Sequence, residues 1–136
     1  MDKIILIAGP TGVGKTAASV SVAKKIGGEI ISADSMQIYR KMDIGTAKIM
    51  PDEMKGIPHH LIDIVEPYDE FSVKDFDDMS KTAIKEISGR SNIPVIAGGT
   101  GLYINAIVYD MDYNKVTTDS EFRNELWKYY EEKGTE

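Results

Sequence analysis

Eight residues, Gly9-Pro10-Thr11-Gly12-Val13-Gly14-Lys15-Thr16, stand at the spacing G-x-x-x-x-G-K-T. A tight glycine loop lets several backbone N–H groups converge on one anion, and a helix starting at its end adds partial positive charge. Lys15 is suited to neutralise phosphate oxygens, and the Thr16 hydroxyl is placed to ligate Mg²⁺. Two further stretches carry polar groups in similar company. Asp34 follows the apolar run Ile30-Ile31-Ser32-Ala33, and Thr100 sits in Gly98-Gly99-Thr100-Gly101. Asp34 reads equally as a general base, as an outer ligand of a Mg²⁺ system, or as a cap on the Ser35 and Met36 N–H groups. A base there needs a nucleophile with an N–H or O–H lodged nearby. The Thr100 hydroxyl reads as a substrate contact or, more simply, as a turn residue bonding its own backbone.

These side chains need a frame, and the sequence supplies one. Residues 3–8 read as a first strand and residues 15–26 as a helix with Ala18, Val22 and Ile26 on one stripe, stopped by Gly27-Gly28. Residues 29–33 read as a second strand, 36–58 as loop and short helix, and 59–65 as a third strand. Ser72 to Asp75 has capping-box spacing ahead of a helix whose apolar face is Phe76, Met79, Ala83, Ile84 and Ile87. Residues 93–97 read as a fourth strand and 102–109 as a helix. Alternating strands and helices imply a parallel sheet with right-handed crossovers, and the apolar first and fourth strands suit burial on both faces. Ligands on such sheets bind at the carboxyl ends of the strands. The loops 9–16, 34–39 and 98–101 leave those ends, so they are expected to meet in one crevice.

The remaining polar residues are read plainly. His59-His60 has no third ligand at metal spacing. Asp63 reads as an ordinary strand residue, and Asp75 to Asp78 as an acidic helix start that the helix dipole favours. Arg40, Lys41, Lys48 and Lys55 read as a small basic lip or, preferably, as solvated charges. After Asp110 a polar linker leads to a capping box, Thr118 to Glu121, and a helix with Phe122, Leu126, Trp127 and Tyr130 on one stripe. One isolated helix with exposed aromatics suggests a second, helical region continuing past Glu136. The division expected is residues 1–112 as an incomplete α/β core and 113–136 as the start of a helical insertion.

Composition bounds the function. The chain has 136 residues, a formal net charge of −6 and no cysteine. The negative charge argues against bulk nucleic-acid binding by this segment alone. The lack of cysteine excludes disulfides and thiolate metal sites. The first apolar run, five residues from Ile4 to Ala8, is too short for a signal segment or a membrane span, so a soluble cytoplasmic protein is expected.

The chain resembles the tRNA dimethylallyltransferases, also called tRNA isopentenyltransferases. The resemblance is carried by residues 9–16, by Ser32-Ala33-Asp34-Ser35-Met36-Gln37-Ile38-Tyr39-Arg40 and by Met42-Asp43-Ile44-Gly45-Thr46-Ala47-Lys48. Pro58-His59-His60-Leu61-Ile62-Asp63 and Gly98-Gly99-Thr100-Gly101-Leu102-Tyr103 continue it, in order, to about Arg123. It implies a P-loop NTPase-like α/β fold. It also implies transfer of a dimethylallyl group from dimethylallyl diphosphate to N6 of the adenosine 3′ of the anticodon in tRNA, with pyrophosphate leaving. By the same likeness Gly9 to Thr16 hold the diphosphate, Lys15 stabilises the leaving group, and Thr16 positions Mg²⁺. Asp34 is the general base, and Thr100 lies near the target base and leaving group. Asp34, Ser35, Met36, Gln37, Thr100 and Arg123 contact tRNA. A monomer in full-length form is implied, and this piece alone is expected to transfer little or nothing. Two rivals share the loop: an isopentenyltransferase acting on free adenine nucleotide, and a small-metabolite kinase. The second usually carries an Arg-rich lid, and only Arg40, Arg90 and Arg123 are present.

Overall fold

A computed structural model of the protein describes residues 3–109, 111 and 120–134, with the side chains of 120–123 left undescribed. The elements are β1 (Ile5–Ala8), α1 (Lys15–Ile26), β2 (Gly28–Ala33), β3 (His59–His60), α2 (Val73–Gly89), β4 (Ile93–Gly98), α3 (Gly101–Tyr109) and α4 (Ser120–Lys133). The strands form one parallel sheet in the order β1-β4-β2-β3.

Side chains alternate across this sheet, as a pleated strand requires. Ile30 and Val95, which pair across β2 and β4, join Val20 and Ala23 of α1 in one core. Their neighbours Ile31 and Ile96 join Phe76, Ile84 and Ile87 of α2 and Tyr103 of α3 in the other. The Phe76 and Tyr103 rings stack there with centroids 3.9 Å apart. The two crossovers, β1-α1-β2 and β3-α2-β4, therefore lie on opposite faces. That is the arrangement which opens a crevice at the strands' carboxyl ends.

Local chemistry explains the helix boundaries. The Ser72 side chain accepts from the Asp75 N–H, and the Asp75 carboxylate accepts from the Ser72 N–H at 2.8 Å, the reciprocal capping box expected. On α1 the buried face is Ser19, Val20 and Ala23, while Ala18 is exposed. The stripe read through Ala18 is therefore one position off. Ser19 can be buried because its hydroxyl donates to Thr16 O at 2.8 Å. On α2 Met79 is largely exposed, and Asp77 and Ser80 are buried instead. Asp77 is thus not part of a merely solvated acidic start. One of its oxygens accepts from Lys81 Nζ at 2.8 Å.

Three expectations change. The third strand ends at His60, because Leu61 and Asp63 adopt left-handed backbone (φ 61° and 55°) that no strand sustains. Val65 keeps only an isolated bridge to Tyr39. Strand β1 is an edge of the described sheet, paired on one side by β4, and Leu6 is 40% exposed rather than buried on both faces. The capping box at 118–121 lies largely outside the described residues, and so does the linker before it. On α4 the side chains of Leu126, Trp127 and Tyr130 are exposed.

Candidate active site

The glycine loop joins β1 to α1 with the conformation that only its glycines accept easily. Gly12 and Gly14 have φ of 82° and 88°, and Gly14 is the N-cap of α1. No side chain caps this helix, so its first N–H groups stay open toward the loop. Lys15 Nζ donates to Pro10 O at 2.5 Å, folding the ammonium back over the loop.

The carboxyl ends of β4 and β2 come very close to one another. A Cβ on Gly98 would lie 2.2 Å from Ala33 O, so this position admits only glycine. The contact brings the two following loops together. Thr100 N–H donates to Ala33 O at 3.2 Å. Thr100 Oγ1 accepts from Ser35 N–H at 3.0 Å and donates to Ser35 Oγ at 3.2 Å. Asp34 Oδ1 accepts from Met36 N–H at 2.9 Å and from Gln37 N–H at 3.2 Å. Asp34 Oδ2 makes no hydrogen bond among the described residues. The capping reading of Asp34 is met by Oδ1, and Oδ2 is left without a partner among the described residues. The capped groups are Met36 and Gln37, not Ser35 and Met36.

Pro10, Thr11, Gly12, Gly14, Lys15 and Thr16 line one side of a cavity of about 690 Å³. Asp34, Ser35, Met36 and Gln37 line another side, and Gly98, Gly99 and Thr100 join them. The three loops meet as the parallel sheet demands. Gly9 and Val13 stand off the wall, and Val13 is 60% exposed. The Arg123 side chain lies outside the described residues.

The rest of the lining was not singled out from sequence. Gly45, Thr46, Ala47 and Ile49 come from the irregular stretch after β2, and Ile30, Ile62 and Ala97 supply apolar floor. His59 also lines the cavity. Burial holds its pKa below the ordinary histidine value, and the neighbouring His60 adds to this against the opposing bond to Ile57 O. Its Nδ1 lies 2.8 Å from that oxygen, so the neutral ring donates there and leaves Nε2 as an acceptor. Gly45, Thr46, Ala47, His59 and Ile62 lie within stretches that carry the family resemblance, and that was the signal for them.

The basic residues of this stretch divide. Lys48 is buried, with its ammonium bound to Asp43 and Asp63, so it is not a solvated charge. Asp63 is correspondingly its ion-pair partner in a left-handed loop, not a strand residue. Arg40 is exposed, with Nε donating to Asp63 O and a guanidinium N–H donating to Glu66.

Among the described residues no group of three or more His, Cys, Asp or Glu side chains is arranged to hold a metal ion. The Thr16 hydroxyl is a hard oxygen donor on the cavity. A single such donor fits Mg²⁺ that arrives with substrate phosphates and keeps several waters, rather than a caged ion. Among the described residues no helix is long and apolar enough to cross a membrane.

A parallel sheet, a glycine loop feeding a helix and a crevice at the carboxyl ends define a P-loop NTPase-like protein. Residues 37–136 match the family described as IPP transferase, and the chain belongs to that family. A curated tRNA dimethylallyltransferase of Geobacillus thermodenitrificans is 53% identical over 135 residues, 99% of this chain and 43% of the relative. That of Caldanaerobacter subterraneus subsp. tengcongensis is 55% identical over 133 residues, 98% of this chain and 42% of the relative. The crystal structure of the full-length tRNA isopentenylpyrophosphate transferase of Bacillus halodurans superposes with a TM-score of 0.83 at 49% identity. The match covers 98% of this chain and 44% of that one. A eukaryotic dimethylallyltransferase solved acting on tRNA superposes with a TM-score of 0.77 at 38% identity, over 88% of this chain and 29% of that one. The chain thus spans less than half the length of these relatives.

Proposed function

We propose that this chain supplies the catalytic core of a tRNA dimethylallyltransferase. The donor is dimethylallyl diphosphate and the acceptor is N6 of the adenosine 3′ of the anticodon. One observation carries the reading: an anion-binding loop and a carboxylate with one free oxygen face the same cavity. The division into a core of residues 1–112 and a helical insertion beginning at 113 belongs to the same proposal. So do a monomeric full-length enzyme and a cytoplasmic site of action, where tRNA is found.

The chemistry follows from the groups present. The loop N–H groups and the α1 N-terminus bind the diphosphate, and Lys15 exchanges Pro10 O for a phosphate oxygen. Positive charge there stabilises the pyrophosphate as its C–O bond breaks. Thr16 would hold Mg²⁺, whose role when bound would be to neutralise charge on the diphosphate. The allylic carbon tolerates cationic character, so the leaving-group side supplies much of the rate. As the C–N bond forms, the exocyclic nitrogen becomes acidic, and Asp34 Oδ2 takes its proton. Thr100 spends its hydroxyl on Ser35, which supports a role in holding the Asp34 turn in place. The adenosine must leave its stack to enter the cavity, which costs less in a loop than in a duplex.

The test offers the full-length protein labelled dimethylallyl diphosphate with unmodified tRNA or AMP, and separately offers ATP with small alcohols. Label in tRNA alone supports the reading. Label in AMP alone would replace the acceptor, and phosphorylated alcohol would replace the reaction.

A further inference from the structure

Lys48 has no role in the chemistry above, yet it is the most completely enclosed cation of the described residues, with a side chain 3% exposed. An ammonium has three donors, and all three are used. They go to Tyr39 O at 2.7 Å, to Asp43 Oδ1 at 2.8 Å and to Asp63 Oδ1. These partners lie on three separate turns of the excursion between β2 and β3 and just beyond it. Lys48 itself does not line the cavity, but its neighbours Thr46, Ala47 and Ile49 do.

Two connections lead from this cluster to the Asp34 turn. Gln37 Nε2 donates to Ala47 O at 3.1 Å, and Asp63 N–H donates to Gln37 O at 3.2 Å. Gln37 N–H in turn donates to Asp34 Oδ1. The backbone around the cluster is also strained. Lys41, Ala47 and Asp63 have φ of 63°, 48° and 55°, a region non-glycine residues enter only when their surroundings hold them there. Only the ammonium is enclosed: the Asp43 and Asp63 side chains are 57% and 48% exposed, so the cluster ties a buried cation to two carboxylates at the surface.

We infer that Lys48 is a positioning residue. Held by Asp43 and Asp63, it fixes the cavity wall at residues 45–49 and, through Gln37, the turn that aims the Asp34 carboxylate. The inference rests on the transferase reading of the cavity.

The experiment uses the full-length protein carrying Lys48→Met, Lys48→Arg or Asp63→Asn. For each, the Kd for inorganic pyrophosphate, kcat and KM with unmodified tRNA, and Tm are measured. Lys48→Met should leave pyrophosphate affinity within about twofold, since the glycine loop is a separate region. It should lower kcat by about 10- to 100-fold, the scale of a small misplacement of a reacting group. Lys48→Arg should recover part of that loss, and Asp63→Asn should reproduce the loss if Lys48→Met does not fold. Unchanged kcat, or a parallel fall of pyrophosphate affinity, kcat and Tm, would overturn the inference. Absence of transfer by the unaltered protein would instead sink the transferase reading.

Discussion

Two walls of the same cavity reach left-handed backbone by different means. The glycine loop uses Gly12 and Gly14, which enter that region at little cost and leave their N–H groups unengaged by side chains. The wall at residues 36–63 uses Gly45 and Gly56 but adds Lys41, Ala47, Lys55, Leu61 and Asp63, each with a Cβ that resists the conformation. Side-chain bonds from Lys48, Gln37 and Arg40 hold it in place. The first wall suits a ligand that any ring of N–H donors can grip. The second suits a ligand whose orientation matters, because its shape is set by many specific bonds. On the proposed reading, anion binding and acceptor placement should therefore be separable.

The sharpest test of that separation is Asp34→Asn in the full-length protein. It should slow turnover by about 10²–10⁴-fold, the range for losing a general base, while pyrophosphate titration stays nearly unchanged. Equal losses in both would merge the two walls into one function. Next in size is Lys15→Met, which should weaken pyrophosphate binding by about 1.5–3 kcal/mol, the scale of a charge-assisted hydrogen bond. An unaltered calorimetric Kd would remove Lys15 from the anion site. The backbone contrast can be read by denaturation. Gly14→Ala should cost about 1–2 kcal/mol through its positive φ alone, since nothing crowds a Cβ there. Ala47→Gly exchanges relief of that strain for chain entropy of about 0.5–1 kcal/mol, so it should move stability far less.

A further effect lies away from both walls, at the amino end of β2. Hydrogen bonds from Arg90 pull the Glu29 pKa from 4.5 to about 2, against the opposing effect of burial and with help from Asn92 and His60. A carboxylate lowered on folding adds stability above its unfolded value. That stability should decline from about pH 4.5 and be gone below about pH 2. Glu29→Gln should flatten this part of a Tm-versus-pH curve and lower Tm at pH 7, where the bonds from Arg90, Asn92 and His60 to the carboxylate are at full strength.

Much of this was legible in the sequence, for reasons that differ by region. The loop at residues 9–16 declares itself because glycines, Lys15 and Thr16 are adjacent. Its meeting with Asp34 and Thr100 follows from the rule that parallel strands gather their carboxyl-end loops. Residues 59–65 read as a strand because Leu61, Ile62, Ile64 and Val65 mimic one, while Leu61 and Asp63 turn left-handed and Asp63 binds Lys48, 15 residues away in sequence. Lys48 looked solvated because its two carboxylate partners sit at no helical or strand period from it. Asp77 shows the same limit: next to Asp78 it reads as surface, and only the packing of α2 reveals which of the two is covered.

The two borders of the sheet differ in exposure. At β3 the border is two residues long and offers almost nothing to pair with. At β1, among the described residues, alternate residues of the four present unpaired N–H and C=O groups, with Ile4 and Leu6 partly exposed beside them. Such a border is a template for adding a strand from another polypeptide. Preparations of these 136 residues by themselves should clump through that border before they lose their folded core.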